Sequence, residues 1–161
     1  MRKPILTVVV ALVTVLFVGC RDSGSLDNQD LLPTQATFRL EDTHGLVKTS
    51  FAVTDTVVFV YTLRNPRITK RQFYHGHGGP WVRFLMRFDT TTVDDSYSGA
   101  VFPAVVVKGT IGGGQTIETR WNLTLGSTSR VPGMYAVVAD PQLSLDEAET
   151  LLNLASAITI R

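Results

Sequence analysis

The chain has 161 residues, with 15 Lys or Arg against 14 Asp or Glu and a formal net charge of +1. This balance argues against bulk electrostatic attraction to nucleic acid. Cys20 is the only cysteine, so the chain has no internal disulfide, and we expect neither a thiolate zinc site nor a cysteine nucleophile. No motif predicts a cofactor.

The N-terminal segment has the organisation of a secretory signal. Arg2 and Lys3 give a positive start, and residues 5–18 form a run of mostly β-branched or apolar side chains. This run is shorter than the roughly 20 residues that a helix needs to span a bilayer. It has the length of the apolar region of a signal peptide, and it ends in Phe17-Val18-Gly19-Cys20.

This ending resembles the lipobox of bacterial lipoproteins, with Phe17 where the family prefers Leu. The resemblance implies that Cys20 is acylated on sulfur, becomes the first mature residue and is acylated again on its amine. Two or more acyl chains give stable membrane anchoring. Arg21, in place of the Asp associated with inner-membrane retention, favours the outer membrane. A secreted protein with an incidental cysteine and an uncleaved membrane anchor stay open as alternatives.

Three regions follow from this interpretation. Residues 1–19 are the signal peptide, residues 20–34 are the lipidated Cys20 and a flexible tether, and residues 35–161 are the folded domain. The tether is predicted because residues 21–34 are rich in Ser, Asp, Asn and Gly and poor in large apolar residues. Residues 20–161 carry 13 basic and 14 acidic side chains, a net charge of about −1.

The folded region alternates between apolar and polar residues with a period of two, which predicts strands. In strand 56–64 both faces carry apolar residues, including Val58 and Val60, so we expect a central strand covered on both faces. Pro103 interrupts another strand and favours an edge or a bulge there. The predicted strands are residues 37–40, 46–53, 56–64, 81–89, 100–108, 115–125, 134–139 and 157–160.

The tail carries a helix signal. Ser144 and Glu147 have the spacing of a capping box, and apolar residues down to Ala155 could line one helix face. A strand stays an alternative for residues 145–156. Seven to eight short strands separated by turn residues predict an all-β, immunoglobulin-like antiparallel sandwich, with this short helix near the C-terminus.

Part of the domain is similar to a known family. Leu63-Arg64-Asn65 closes a strand, a Gly112-Gly113-Gly114 turn leads into a strand holding Trp121, and Pro132-Gly133-x-Tyr135 opens the next strand. This order over residues 51–139 resembles the BsuPI-type intracellular proteinase inhibitor domain. The resemblance implies an all-β module with inhibitory activity, but no inhibitory residue of that family can be placed on this chain.

Two adjacent stretches carry the candidate binding residues. A basic cluster with two aromatic neighbours could contact an acidic partner or lipid phosphates, since Arg grips phosphate bidentately; a solvated loop is the alternative. The cluster comprises Arg64, Arg67, Lys70, Arg71, Phe73 and Tyr74.

The second stretch is His75-Gly76-His77, followed by two glycines and Pro80. Two imidazoles could meet one metal ion, but a tetrahedral site needs further ligands, so a glycine-rich surface loop is favoured and no metal is predicted.

These observations predict a non-catalytic, lipid-anchored binding or structural module of the cell envelope. Its partners are the membrane, through acyl chains on Cys20, and another envelope protein, contacted through residues 65–80; nucleic acid is not expected. The alternatives are a BsuPI-like proteinase inhibitor and an envelope hydrolase. The hydrolase comes last because no Gly-x-Ser-x-Gly elbow or catalytic Ser, His and Asp order occurs.

Overall fold

The computed structural model describes residues 31–127, 130–146, 149 and 151–161. The predicted signal peptide, Cys20 and the predicted tether up to residue 30 lie outside these residues. The part described holds no helix long and apolar enough to cross a membrane. It contains a 3-10 turn at Leu125–Ser127 and eleven strands: β1 (Gln35–Glu41), β2 (Ser50–Phe51), β3 (Thr56–Arg64), β4 (Arg71–His75), β5 (Val82–Phe88), β6 (Thr91–Asp95), β7 (Val107–Ile111), β8 (Thr116–Thr124), β9 (Gly133–Pro141), β10 (Leu143–Leu145) and β11 (Leu154–Ile160).

The strands pack as an immunoglobulin-like sandwich. One sheet has the antiparallel order β1-β3-β8, and the other has the order β2-β11-β9-β5-β6, with only the β2–β11 pair parallel. Counted along the chain, the first sheet holds strands A, B and E, and the second holds G, F, C and C′, which is the immunoglobulin-like arrangement. The predicted fold class is confirmed.

A hydrogen bond at the start of β9 supports this assignment. The Tyr135 hydroxyl donates to the carbonyl oxygen of Val131 at 2.6 Å, four residues upstream. Immunoglobulin-like domains have such a tyrosine corner at the start of strand F, which is the place of β9 here. The Pro132-Gly133-x-Tyr135 motif is therefore the sequence signature of this corner.

Aromatic side chains fill the space between the two sheets. Phe59 of β3 lies 5.8 Å from Phe84 of β5 and 4.8 Å from Trp121 of β8, measured between ring centroids. Phe38 of β1 contacts both phenylalanines. These contacts join the two sheets into one core.

The outer face of β3 is also buried, as its apolar residues predict. Val58 and Val60 lie on this face, and their register partners on β1 and β8 are charged or polar. Three of these partners, together with Glu118, close a ring of ion pairs with distances of 2.6–3.1 Å. We infer that the apolar stems of these side chains cover the valines. The ring consists of Arg39, Glu41, Glu118 and Arg120.

A third, smaller sheet has the antiparallel order β10-β4-β7. Its strands come from three separate connections of the sandwich, and the sequence pattern predicted neither β4 nor β10. The pattern also missed β6, an edge strand of the larger sheet. β7 begins at Val107, so the strand predicted over residues 100–108 is displaced towards the C-terminus.

The helix predicted near the C-terminus does not form in the described residues. Ser144, the expected helix cap, lies in β10 and is the register partner of Tyr74, and Leu145 is buried in the same strand. Ala155 lies in β11, while Glu147 is outside the described residues. The predicted strand over residues 46–53 shortens to β2.

Candidate functional site

The loop between β3 and β4 is held from inside by Asn65. This side chain is fully buried, and its amide donates to the carbonyl oxygens of Thr69 at 2.7 Å and Ile111 at 3.2 Å. Its carbonyl oxygen accepts from the backbone N–H of Arg67 at 3.1 Å. The loop of residues 65–70, which we call the basic loop, is therefore fixed to the end of β7.

Arg71 occupies an interior position at the start of β4, with only 1% of its surface exposed. Its guanidinium donates to Asp146 Oδ1 at 2.8 Å, to Glu149 Oε2 and to Thr34 Oγ1 at 2.8 Å. The backbone N–H of Thr34 donates to Glu149 Oε1 at 2.8 Å. We call these four residues the Arg71 clamp. It joins β4 to the segment before β1 and to the segment after β10.

The clamp changes two sequence expectations. Arg71 was predicted to contact a partner, but its guanidinium is committed inside the domain. Thr34 was assigned to the tether, yet it is buried and hydrogen-bonded, so the folded domain begins before Gln35. The sequence could not show either feature, because the partners of Arg71 are distant along the chain.

The clamp also sets the charge of Asp146. Burial alone acts to raise the pKa of this carboxyl, but hydrogen bonds from the Gln72 backbone N–H, at 3.0 Å, and from Arg71 outweigh burial. The pKa of Asp146 is therefore below its ordinary value. The carboxylate stays ionised and paired with Arg71 at neutral pH.

The other predicted contact residues are divided between surface and interior. Arg64 and Lys70 are exposed, and Tyr74 is half-buried. Phe73 lies against the backbone of Gly109, where an added Cβ would stand 2.1 Å from the phenylalanine ring. Only part of the predicted cluster can therefore meet a partner.

The two histidines belong to a packed group of rings. His77 stacks on Phe102 with a centroid distance of 5.2 Å and contacts His75 and Tyr97 edge-on, each at 5.5 Å. The Nδ1 atom of His77 accepts from the Gly79 backbone N–H at 3.1 Å. The described residues contain no group of three or more His, Cys, Asp or Glu that could hold a metal ion.

The glycines after His77 make room for residues 101–106, which we call the valine segment. A Cβ at Gly78 would lie 2.7 Å from the Pro103 side chain, and one at Gly79 would lie 2.4 Å from the Phe102 ring. The Gly78 N–H donates to the Pro103 carbonyl oxygen at 3.0 Å. The glycine-rich loop thus fixes the valine segment, a role that the sequence did not suggest.

His75 is buried at the end of β4, and its Nδ1 atom has no hydrogen-bond partner. Burial lowers the pKa of this imidazole, and the proximity of the His77 ring lowers it further, which together outweigh a backbone hydrogen bond with His77 that acts to raise it. The neutral form of His75 is therefore favoured in the folded protein.

An open pocket of about 430 Å³ lies beside His75. Tyr74, Val106 and Leu143 are among the residues that line it. The pocket therefore lies between the end of the third sheet and the valine segment.

The valine segment is the most exposed apolar stretch near this pocket. Val101 is 95% exposed and Val106 is 69% exposed. The segment runs directly into β7, which lies at the edge of its sheet and has β4 as its strand partner among the described residues. The sequence signal for this site is the apolar run within residues 100–108, over which the sequence pattern predicts a strand.

Comparisons with known proteins do not assign this chain to a family. No protein-family model matches it, and neither does any curated protein. The predicted resemblance to the BsuPI-type inhibitor domain and to the lipobox of lipoproteins therefore stays a prediction.

Among solved structures the chain is similar to parts of larger proteins and to one small domain. A β-glucosidase from Erythrobacter marinus is 14% identical over 80% of this chain and 16% of that chain, with a TM-score of 0.42. A β-glucosidase from Listeria innocua is 12% identical over 78% and 16%, with a TM-score of 0.41. A CARDB domain from Pyrococcus furiosus, in complex with di-metal ions, is 12% identical over 80% and 89%, with a TM-score of 0.41.

The chain thus spans about 16% of the length of these β-glucosidases. Identities and scores this low say nothing about the activity of this chain. Its fold class follows from its own strand order and tyrosine corner.

Replacing Arg71 with Ala should lower the free energy of unfolding by about 3 kcal/mol, because two carboxylates lose their cation. We take the low end of the range for buried pairs, since Asp146 and Glu149 are partly accessible to solvent. Urea unfolding at neutral pH measures the change. Lys70→Ala, at the exposed neighbouring position, should stay within about 0.5 kcal/mol of the parent. Equal effects of the two substitutions would contradict the clamp.

The lowered pKa of His75 predicts that acid destabilises the fold. The unfolded chain binds a proton near the ordinary pKa of 6.5, whereas folded His75 resists protonation. The contribution of His75 is thus complete above that pH and is lost as the pH falls towards the folded-state pKa. Urea unfolding between about pH 7.5 and pH 5 should show a flatter profile for His75→Phe than for the parent.

His44 is exposed, so His44→Gln serves as the matched control and should keep the pH dependence of the parent. If the His75→Phe profile has the same slope as the parent, His75 is not the group that titrates.

Proposed function

We propose that this protein is a lipid-anchored, non-catalytic binding domain of the cell envelope, which holds an extended segment of another envelope protein. The observation that carries the proposal is the exposed valine segment running into edge strand β7. The anchor is supported by the N-terminal sequence, in which Cys20 ends a signal-like apolar run.

An edge strand presents backbone N–H and C=O groups that a further strand can pair with. In β-strand addition these backbone hydrogen bonds give affinity, and neighbouring pockets give side-chain specificity. β7 offers such an edge, and the pocket beside His75 lies next to Val106, where the partner strand would continue. An extended apolar peptide fits this combination.

The binding surface is preorganised. Phe102 packs on His77, and the Pro103 carbonyl oxygen is held by Gly78, so the valine segment is fixed while Val101 and Val106 face solvent. A fixed segment loses little conformational freedom when a partner binds.

The polar groups of this region support a non-catalytic role. The Tyr97 hydroxyl donates to the Pro80 carbonyl oxygen, and burial raises the pKa of Tyr97 to about 12. His77 accepts a hydrogen bond from its own loop. These groups hold the loop in place, and proton transfer at neutral pH does not suit such a high pKa.

The proteinase-inhibitor alternative is favoured by the same feature, since the valine segment is an exposed loop fixed at its centre. An inhibitor would block a protease at equal molar ratio and leave residues 101–106 uncut. Titration of proteases with the purified protein, followed by mass analysis of this segment, separates the two functions.

The anchor is tested by the intact mass of the protein expressed in a lipoprotein-processing host. We expect a chain that begins at Cys20 and carries acyl chains, and we expect Cys20→Ala to lose both the acyl mass and membrane partition. An unmodified chain, or one that keeps residues 1–19, would remove the lipid anchor from the proposal.

The binding surface is tested by a photo-crosslinking amino acid placed at Val101 in the cell. We expect one discrete adduct with an envelope protein, and we expect Val105→Lys with Val106→Lys to abolish it, because charge on this apolar surface opposes docking. The same crosslinker at Leu46, which is 60% exposed, is the control and should give no such adduct. An adduct that survives both lysines would contradict this surface.

A further inference from the structure

We propose that the end of the domain where the chain enters the fold rests on an anionic bilayer surface. This inference builds on the proposed lipid anchor. The surface combines exposed apolar and basic side chains, and we call it the N-terminal patch. It comprises Leu31, Leu32, Arg64, Ile68 and Lys70.

Hydrogen bonds bring these residues together. The Nε atom of Arg67 donates to the Leu32 carbonyl oxygen at 2.8 Å, which places Leu32 beside the loop that carries Ile68. Gln35 is the register partner of Arg64, so the start of β1 lies next to the end of β3.

The clamp fixes the remaining edge of the patch. Arg71, the neighbour of Lys70 in the chain, donates to Thr34 at 2.8 Å. The loop from 65 to 70 is itself held by the buried Asn65. The residues of the patch come from two separate segments of the chain, but these hydrogen bonds hold the two segments in fixed relative positions.

The chemistry of the patch fits a lipid headgroup region. Leu31 is 74% exposed and Ile68 is 55% exposed, and apolar side chains of this kind insert at the boundary between headgroups and acyl chains. Arg64 and Lys70 add positive charge, and each basic residue near an anionic membrane strengthens binding about fivefold. Two acidic side chains that the structure describes at this end, Asp146 and Glu149, are paired with Arg71.

The position of the anchor brings this end of the domain to the membrane. Ten residues lie between Cys20 and Leu31, so the eleven Cα–Cα steps span at most about 40 Å even when fully extended. A lipidated Cys20 therefore keeps the patch close to the bilayer, where a single weak contact becomes an intramolecular one.

The proposed orientation leaves the partner-binding surface accessible. β4 begins at Arg71 beside the patch and ends at His75 beside the pocket, about 13 Å further along the strand. The valine segment joins the sheet at the His75 end, where Val107 is the register partner of His75.

The test uses the full chain reconstituted in vesicles of phosphatidylcholine and phosphatidylglycerol in equal parts, with spin-labelled lipids as quenchers. A fluorescent amino acid is incorporated at Ile68 or, as the matched control, at Leu46. Leu46 is similarly exposed and lies beyond Glu41 at the far end of β1. We expect selective quenching at position 68, which Arg64→Glu with Lys70→Glu, or vesicles of pure phosphatidylcholine, should largely remove.

Equal quenching at positions 68 and 46, or quenching at 68 that ignores the charge reversal, would overturn the inference. A thermal unfolding midpoint that matches the parent shows that the charge-reversed domain is folded. The intact mass of the same sample reports on Cys20 separately. If Cys20 is acylated but quenching is not selective, the membrane contact of the N-terminal patch is wrong and the lipid anchor stands. If Cys20 is unmodified but quenching is selective, the lipid anchor is wrong and the membrane contact stands.

Discussion

The buried guanidinium of Arg71 is the interaction on which the organisation of this domain depends. It connects β4 to the start of the fold at Thr34 and to Asp146 and Glu149 after β10. A cation in the interior is stable only when its charge and its donors are matched, and the carboxylates and the threonine hydroxyl meet this condition. The clamp thereby fixes the start of β4, which the basic loop precedes and which leads to the pocket at its other end.

Residues 65–80 contribute to two different surfaces, because one part of this stretch lies at the start of β4 and the other at its end. At one end, Asn65 and Arg71 hold a basic loop beside the N-terminal residues. At the other end, His77 and the glycines that follow it hold the valine segment against the sheet. The histidine and glycine residues that suggested a metal loop are used for packing, because the glycines leave space for Phe102 and Pro103.

The parts of the fold that could be predicted are those whose signals are local. The alternation from Val57 to Leu63 predicted a central strand covered on both faces, and the tyrosine-corner motif ending in Tyr135 lies where it was expected to open a strand. The capping box at Ser144 failed because pairing with Tyr74, 70 residues away, outweighs a local helix signal. The burial of Arg71 could not be predicted from the sequence either, since basic residues in a polar loop are usually solvated.

The assembly of the third sheet has a consequence for the order in which the domain folds. Its strands pair Phe73 with Leu145 and Arg71 with Ile111, contacts between segments far apart in the chain. Contacts of such long range are slow to form, because the loop-closure entropy is lost before the contacts repay it. The sandwich also pairs distant segments, such as Phe59 with Trp121, but its strands carry most of the buried apolar core that offsets this entropy. We therefore expect the sandwich to close first and the third sheet, which buries less, to consolidate last. In the native state this sheet would be the first unit to open, so its backbone amides would exchange with solvent faster than those of β3.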